Sequence, residues 1–403
     1  MNPNSKKAAA NSFRILRSGV TRTLRTPPCA PSPTSSRSYS ATAMRPKFSY
    51  HIAASFIAKD RPYDPNTHVF HFNPYNRIQP PKDKRKSSRP ESGHDAFFVS
   101  RVNDSGSVAL GVADGVGGWV DSGVDPADFS HGFCDYMASA AYEHKTADPA
   151  KPLTARSLMQ KGYDSICSDG SLSAGGSTAC VAIASPDGTL DVANLGDSGF
   201  LQLRLNAISA SSESQTHAFN TPYQLSLVPP SVAARAAAFG GAQLSDLPRD
   251  ADVTQHSLRH GDVLLFATDG VLDNLFNQDI LRLASRALVS SGAWVVTETG
   301  SVRVADSLKH LVKPAEVEDE GASDARAVRK RGGASKQTLQ SFLATTIVSA
   351  ARSASVNTKV DGPFAKEVQK YYPHENWHGG KVDDICVVAA VVSEEPTVVS
   401  SKL

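Results

Sequence analysis

The chain has 403 residues, enough for one large domain or two, and its 40% hydrophobic and 20% charged residues are ordinary for a globular protein. No run of about 18 apolar residues occurs, which argues against a membrane-spanning helix. The net charge of +2 hides a division. Residues 1–59 hold ten Lys/Arg and no acid, leaving 32 Lys/Arg against 40 Asp/Glu in the remainder, an acidic body that argues against nucleic acid as the main partner.

In chain order, residues 1–47 read as a mitochondrial targeting presequence with a disordered segment. They are rich in Arg, Ser, Thr and Ala. On a helical wheel Phe13, Leu16, Val20 and Leu24 share one face, with Arg14, Arg22 and Arg25 on the other. Arg37-Ser-Tyr-Ser40 has the form of a matrix-protease site cut after Tyr39. The plain alternative is a disordered basic tail. Residues 48–60 are expected to form a first strand, and the Pro-, Lys- and Ser-rich residues 61–92 an exposed loop.

Gly93 to Ser100 then reads as a strand with Asp95 at its start. Its hairpin partner is the apolar run Val108 to Ala113, which ends in Asp114-Gly115. An Asp at the end of a buried strand presents a carboxylate on rigid backbone. The glycine beside it turns the chain and leaves its carbonyl open to a ligand. Hard divalent cations take this pairing of carboxylate and carbonyl oxygens. Asp-Gly is also the commonest hairpin dipeptide, and the chain has others at Asp169, Asp187 and Asp361, so one instance alone reads as a turn.

Helical spacing follows over 125–145 (Phe129, Phe133, Met137, Ala141) and over 153–167 (Leu153, Leu158, Tyr163, Ile166). Residues 176–184 and 189–197 form a hairpin closed by Pro186-Asp-Gly188. A strand over 199–205 and a polar loop over 206–218 come next. Tyr223 to Val228 and Ala251 to Leu258 bracket an Ala-rich, Gly-containing segment. Asp262 to Val271 repeats the earlier design, an apolar run ending in Asp269-Gly270. Helix is expected over 271–290 and 337–351. Between them, residues 313–336 are a charged insert of disordered character. Asp383-Asp384 precedes a final strand, Ile385 to Val392. Three strand ends, each carrying an Asp, could converge on one metal cluster. Strands in hairpins interspersed with helix pairs argue α+β. The tail 394–403 ends in Ser401-Lys402-Leu403, the tripeptide read as a peroxisomal address.

The five cysteines show no CxxC pair and no zinc spacing, which points away from a disulfide framework and towards a reducing compartment. Cys180 and Cys386 fall in apolar strands and read as core residues. Cys134 reads as structural.

Six stretches together resemble the metal-dependent Ser/Thr protein phosphatases of type 2C, in particular that family's short mitochondrial branch. They are Asp95-Ala-Phe-Phe-Val, Gly111-Val-Ala-Asp-Gly-Val-Gly-Gly-Trp119, Gly176-Ser-Thr-Ala179, Asn194-Leu-Gly-Asp-Ser-Gly199, Gly261-Asp-Val-Leu-Leu-Phe-Ala-Thr-Asp-Gly270 and Gly380-Lys-Val-Asp-Asp-Ile385. They occur in family order and set the domain at 48–393. The resemblance implies a four-layer α-β-β-α sandwich, two packed antiparallel sheets flanked by helix pairs. It implies two Mg²⁺ or Mn²⁺ ions at one end. Asp114 would bridge them, the Gly115 carbonyl would bind one, and Asp269 and Asp383 the other. Asp95 would hold or orient a coordinated water, so Asp95 and Asp114 carry the chemistry.

The implied activity is hydrolysis of phosphoserine and phosphothreonine in protein substrates by in-line attack, with no phosphoenzyme. The enzyme would be a monomer of the mitochondrial matrix with a possible second address in the peroxisome. A non-catalytic scaffold of the same fold is the alternative, and its signature would be loss of the metal carboxylates. A nuclease fits poorly with an acidic body that lacks a basic aromatic groove. Two positions depart from the family pattern. His94 stands where the family usually has an acidic residue, which lowers the negative charge near the second metal. Arg89 is near, but not at, the spacing of the family's phosphate-gripping Arg and is not assigned. Asp197, Ser198 and Asp262 read as residues of turns and of the fold, with the Asp197 carboxylate bonded to backbone. Asp384 reads as a metal neighbour or a strand cap, and Trp119 as core or pocket wall.

Overall fold

The computed structural model describes residues 47–73, 89–145, 152–238, 245–313 and 337–395. The chain divides into two units, Met1–Ala43 and Met44–Leu403, and every described residue belongs to the second. The targeting segment, most of the 313–336 insert and the Ser401-Lys402-Leu403 tail therefore lie outside the described residues.

Two antiparallel sheets carry the structure. The first has six strands in the order Val69–His71 (β2), Lys47–Ile57 (β1), Ile385–Glu395 (β17), Val263–Ala267 (β14), Gly199–Arg204 (β8) and Ala207–Ser211 (β9). The second has five, in the order Asp252–Ser257 (β13), Thr189–Leu195 (β7), Ala179–Ala184 (β6), Val108–Asp114 (β4) and Asp95–Arg101 (β3). Three two-stranded pairs complete the set: Gly175–Ser177 (β5) with Leu225–Leu227 (β12), Thr216–Ala218 (β10) with Thr221–Pro222 (β11), and Trp294–Val296 (β15) with Val302–Val304 (β16). The helices are Pro126–Tyr142 (α1), Ala155–Cys167 (α2), Pro230–Ala238 (α3), Asp269–Leu272 (α4), Asn277–Ser290 (α5), Leu308–Leu311 (α6), Leu339–Ser355 (α7) and Pro363–Tyr371 (α8).

Side-chain parity sorts the strands into three cores, because successive residues of a strand face opposite ways. Ile52, Ala54 and Phe56 of β1, Cys386, Val388 and Ala390 of β17, and Leu110 and Val112 of β4 share one cluster, to which both large sheets contribute. The alternate residues of the first sheet (Leu265, Val387, Ala389, Val391) pack with α5 and α7 through Ile280, Leu288, Leu343 and Ile347. Those of the second sheet (Ala109, Val181, Ile183, Ala193) pack with α1 and α2 through Phe129, Phe133, Leu158 and Ile166. Cys180 and Cys386 sit in the first cluster and Cys134 in the last, so all three are core residues.

Register places the Asp-bearing ends together. Asp95 pairs with Asp114, Val112 with Cys180, and Ala179 with Leu195. In the other sheet Ala267 pairs with both Gly199 and Val387. Residues 196–198 join the end of β7 directly to the start of β8, so these ends of the two sheets coincide.

Several segments differ from the sequence expectation. Within 61–92, Val69–His71 pairs with β1 as an edge strand. The polar segment 206–218 contains β9 and β10. The turn into β9 uses Leu205 at φ 46° and Asn206 at φ 67°, a left-handed pair without the usual glycine, so turn chemistry gave no signal. The helix expected over 271–290 is two helices, because Phe276 is extended (φ −64°, ψ 150°) and caps the start of α5. The β15–β16 hairpin and α8 were not anticipated.

Candidate metal centre

Asp95 opens β3 and Asp114 closes β4, directly opposite across the ladder. Like charges in that position destabilise a sheet unless something positive lies between or beside them. Asp95 is 1% exposed. Its Oδ2 accepts the Thr268 hydroxyl at 2.7 Å, while Oδ1 is buried with no hydrogen-bond partner. The Asp114 backbone is fixed by three contacts: its amide donates to Thr178 Oγ1 (3.1 Å), and its carbonyl accepts from Thr178 N (2.9 Å) and Ser177 Oγ (2.8 Å). Ser198 holds that threonine through a 2.8 Å hydroxyl contact, so its service to the fold reaches the site.

Gly115 follows in an isolated bridge with Ser177. The bonds of that bridge run from Val116 N to Gly176 O and from Thr178 N to Asp114 O, so they leave the Gly115 carbonyl unused. A Cβ at Gly115 would stand 2.7 Å from the Pro126 carbonyl oxygen, which explains the glycine by close approach.

From the other sheet, β14 passes through Thr268 into α4, and Asp269 is the first residue of that helix. A Cβ at Gly270 would lie 1.9 Å from the Asp384 carbonyl oxygen, so only glycine lets α4 approach the 383–384 segment. Asp383 lies just before β17. Its neighbour Asp384 accepts from Lys59 N and His94 N, both at 2.8 Å. Its carboxylate thus ties two backbone amides to the segment before β17, and it also lies near enough to Asp95 to act on it. The His94 ring stands 3.9 Å from that carboxylate, and Arg89 is engaged at 2.7 Å with Asp128 on α1. Trp119 is buried and donates to Gln224 Oε1 at 3.3 Å. Burial pushes the Cys134 thiol well above its ordinary range, which suits a structural cysteine.

The carboxylates act on one another. Burial, and then the Asp384 carboxylate, raises Asp95 well above the usual range. Burial, then Asp269 and Asp95, does the same for Asp114, which is half-buried by exposed area yet densely surrounded by protein. Asp383 is raised by burial and by Asp269, against the pull of Lys381.

Three participants escaped the sequence reading. Asp273 lies one helical turn after Asp269, and burial followed by Asp269 pushes it up to about 7. The i, i+4 spacing was the available signal. Lys381 donates to Asp269 and Asp273, both at 2.7 Å, and stands 3.2 Å from Asp383. Asn274 clasps the Lys381 backbone from both sides: its Oδ1 accepts Lys381 N at 2.9 Å and its Nδ2 donates to Lys381 O at 2.8 Å. Asp197 requires a correction. Its Oδ1 is buried without a partner, and burial, then Asp269 and Asp273, raises its carboxyl well above the usual range. It belongs to the acidic centre as well as to its turn. Asp262 is also more than a turn residue, since Arg204 grips both its oxygens at 2.8 and 2.6 Å.

Among the described residues, no three His, Cys, Asp or Glu groups are arranged to hold a metal by themselves. Lys381 stands among Asp269, Asp273 and Asp383.

No family model matches the chain. It is 29% identical over 357 residues to protein phosphatase 2C homolog 7, mitochondrial, of Saccharomyces cerevisiae, covering 88% of this chain and 85% of that protein. It is 31% identical over 323 residues to protein phosphatase PTC7 homolog fig of Drosophila simulans, covering 80% of this chain and 84% of that protein. Matches to vertebrate PTC7 homologues are shorter and reach 59% of the human protein. Among solved structures, the photosystem II phosphatase PBCP superposes with a TM-score of 0.51 at 21% identity, over 85% of this chain and 98% of that one, which is a likeness of fold. Two antiparallel sheets that bring Asp-Gly strand ends together, and relatives aligned over most of the chain, lead to one family: the chain belongs to the type 2C protein phosphatases, in their PTC7 branch.

Proposed function

We propose that Asp114, the Gly115 carbonyl, Asp269 and Asp383 hold two divalent cations, Mg²⁺ or Mn²⁺, and that Asp95 and Asp114 carry the hydrolysis of phosphoserine and phosphothreonine. The observation that carries the reading is the orphaned Oδ1 of buried Asp95, facing Asp114 across the ladder. A buried, unpartnered carboxylate oxygen is costly, and two opposed carboxylates cost more, so the arrangement calls for positive charge. The donors are all oxygen and few per ion, which suits Mg²⁺ and Mn²⁺ because they keep several waters.

When bound, such a pair lowers the pKa of a coordinated water and neutralises phosphoryl oxygens. The chain's own residues do the rest. Thr268 holds Asp95 Oδ2, so Oδ1 is the oxygen turned to orient or accept from water. The Thr178–Ser177 contacts fix the Asp114 main chain and aim the Gly115 carbonyl. Gly270 lets α4 approach, which brings Asp269 within reach of the segment bearing Asp383.

The helix–sheet–sheet–helix order implied by the three cores supports the four-layer reading, with the phosphatase domain at 48–393. The working unit this reading takes is a monomer. Phosphoproteins of the mitochondrial matrix are the substrates this reading favours. It rests on the basic, acid-free segment 1–47 and on the mitochondrial name of the yeast relative. No relative speaks for the peroxisomal address.

The test is phosphate release from a phosphothreonine peptide by the full chain, with Mn²⁺ or Mg²⁺ titrated and EDTA as control. Activity should require metal. Asp114→Asn should lose at least about 100-fold, since the ions supply several kcal/mol of charge stabilisation. A well-folded chain inactive at millimolar metal would overturn the reading.

A further inference from the structure

Lys381 occupies an unusual position. Its side chain is only 15% exposed and points into carboxylates. Its Nζ is 2.7 Å from Asp269, 2.7 Å from Asp273 and 3.2 Å from Asp383. Three carboxylates therefore surround one ammonium. Two of the three, Asp269 and Asp383, are the residues read above as ligands of one divalent cation. An ammonium and a metal ion cannot both take the same carboxylate oxygens at full strength.

The surroundings supply the ammonium with other places to rest. Nζ lies 5.0 Å from the centre of the Phe364 ring and 3.5 Å from Asn220 Oδ1. Asp273 belongs to neither proposed metal. The Asn274 clasp fixes the Lys381 backbone, so only the side chain needs to move. Lys59 also stands near Asp383, at 4.0 Å.

We propose that Lys381 is a resident counter-ion and positioning residue that competes with a divalent cation for the oxygens of Asp269 and Asp383 and retreats towards Asp273, Phe364 and Asn220 when that cation binds. The inference rests on the metal reading above. It makes weak metal affinity a built-in property of this chain. Without the cation, the ammonium offsets repulsion among the carboxylates. With it, the same ammonium is a standing competitor.

The experiment is calorimetric titration of Mn²⁺ into the full chain without substrate, beside melting curves in EDTA and in saturating Mn²⁺. Lys381→Met should bind Mn²⁺ on the order of ten-fold more tightly than the wild type, because one positive charge within a few ångströms of the ligands is gone. It should also melt lower than the wild type in EDTA, with the gap closing in Mn²⁺. Lys381→Arg keeps the charge in a rigid fork and should bind Mn²⁺ no more tightly than the wild type. Unchanged or weaker binding by a folded Lys381→Met overturns the proposal. If that variant does not fold, tighter binding by Lys381→Arg overturns it instead. A wild type that binds no Mn²⁺ removes the metal reading and this inference together, which separates the two failures.

Discussion

An aspartate directly opposite an aspartate in a β-ladder has no structural benefit, and residues around this pair are spent on holding it. Thr268 shows how. Its hydroxyl donates to Asp95 Oδ2 at 2.7 Å and accepts the Cys386 amide at 3.0 Å, tying Asp95 of one sheet to a strand of the other. Thr268→Val keeps the shape and removes both bonds. It should cost about 1–3 kcal/mol in urea unfolding, because a buried amide is left unpaired. Turnover should fall about ten-fold with KM little changed, and Thr268→Ser should restore both. Equal losses in the Val and Ser variants would mean that the hydroxyl alone does not account for the effect. Asp95, Asp114, Gly115, Asp269 and Asp383 stood out as candidates because an Asp at a strand end is a local pattern. Asp197, Asp273 and Lys381 were less so, because a turn residue, a helix-surface acid and a lysine before a strand each have an ordinary local reading.

At the scale of elements, the short helix α4 is the piece that closes the site. It begins with Asp269, and its second residue must be glycine for the helix to lie against the 383–384 segment. Gly270→Ala places a Cβ 1.9 Å from a backbone oxygen, so α4 or the segment must shift. We expect destabilisation of about 3 kcal/mol, at the upper end of ordinary overpacking, with weaker Mn²⁺ binding measured by calorimetry. Unchanged stability would show that the segment before β17 moves freely. Most of the strands were readable from alternation, since a strand that feeds two cores shows its period in the apolar residues. The edge strands β2, β9 and β10 were not. They are short, three to five residues each, too few to show a period, and pairing with a neighbour makes them strands.

For the molecule as a whole, the acidic centre should make metal-free stability depend on pH. Asp95, Asp114, Asp197 and Asp273 have raised pKa values in the fold, Asp273 at about 7. A carboxyl with a raised folded pKa binds more protons folded than unfolded, so its contribution is lost as pH rises through the folded value. His51 and His131, both lowered to about 4 mainly by burial, act in the opposite sense and only below about 6.5, where the unfolded imidazole begins to protonate. In EDTA the melting temperature should therefore fall as pH rises towards about 7, free of the histidine contribution above about 6.5, and saturating Mn²⁺ should remove that slope. A flat EDTA profile would mean that Lys381 and solvent already neutralise the cluster.

The sequence by itself determined the family, the two-sheet antiparallel character and the carboxylates at the strand ends. Those properties reside in short, contiguous patterns of polarity and turn chemistry. Only the tertiary structure decided which acids meet, that Asp384 serves backbone amides, that Asp197 and Asp273 join the centre, and that Lys381 stands among them. Those contacts join residues a hundred or more positions apart in several cases, such as Lys381 with Asp269 and Asp273. Their energies depend on burial and mutual distance, which local sequence does not encode.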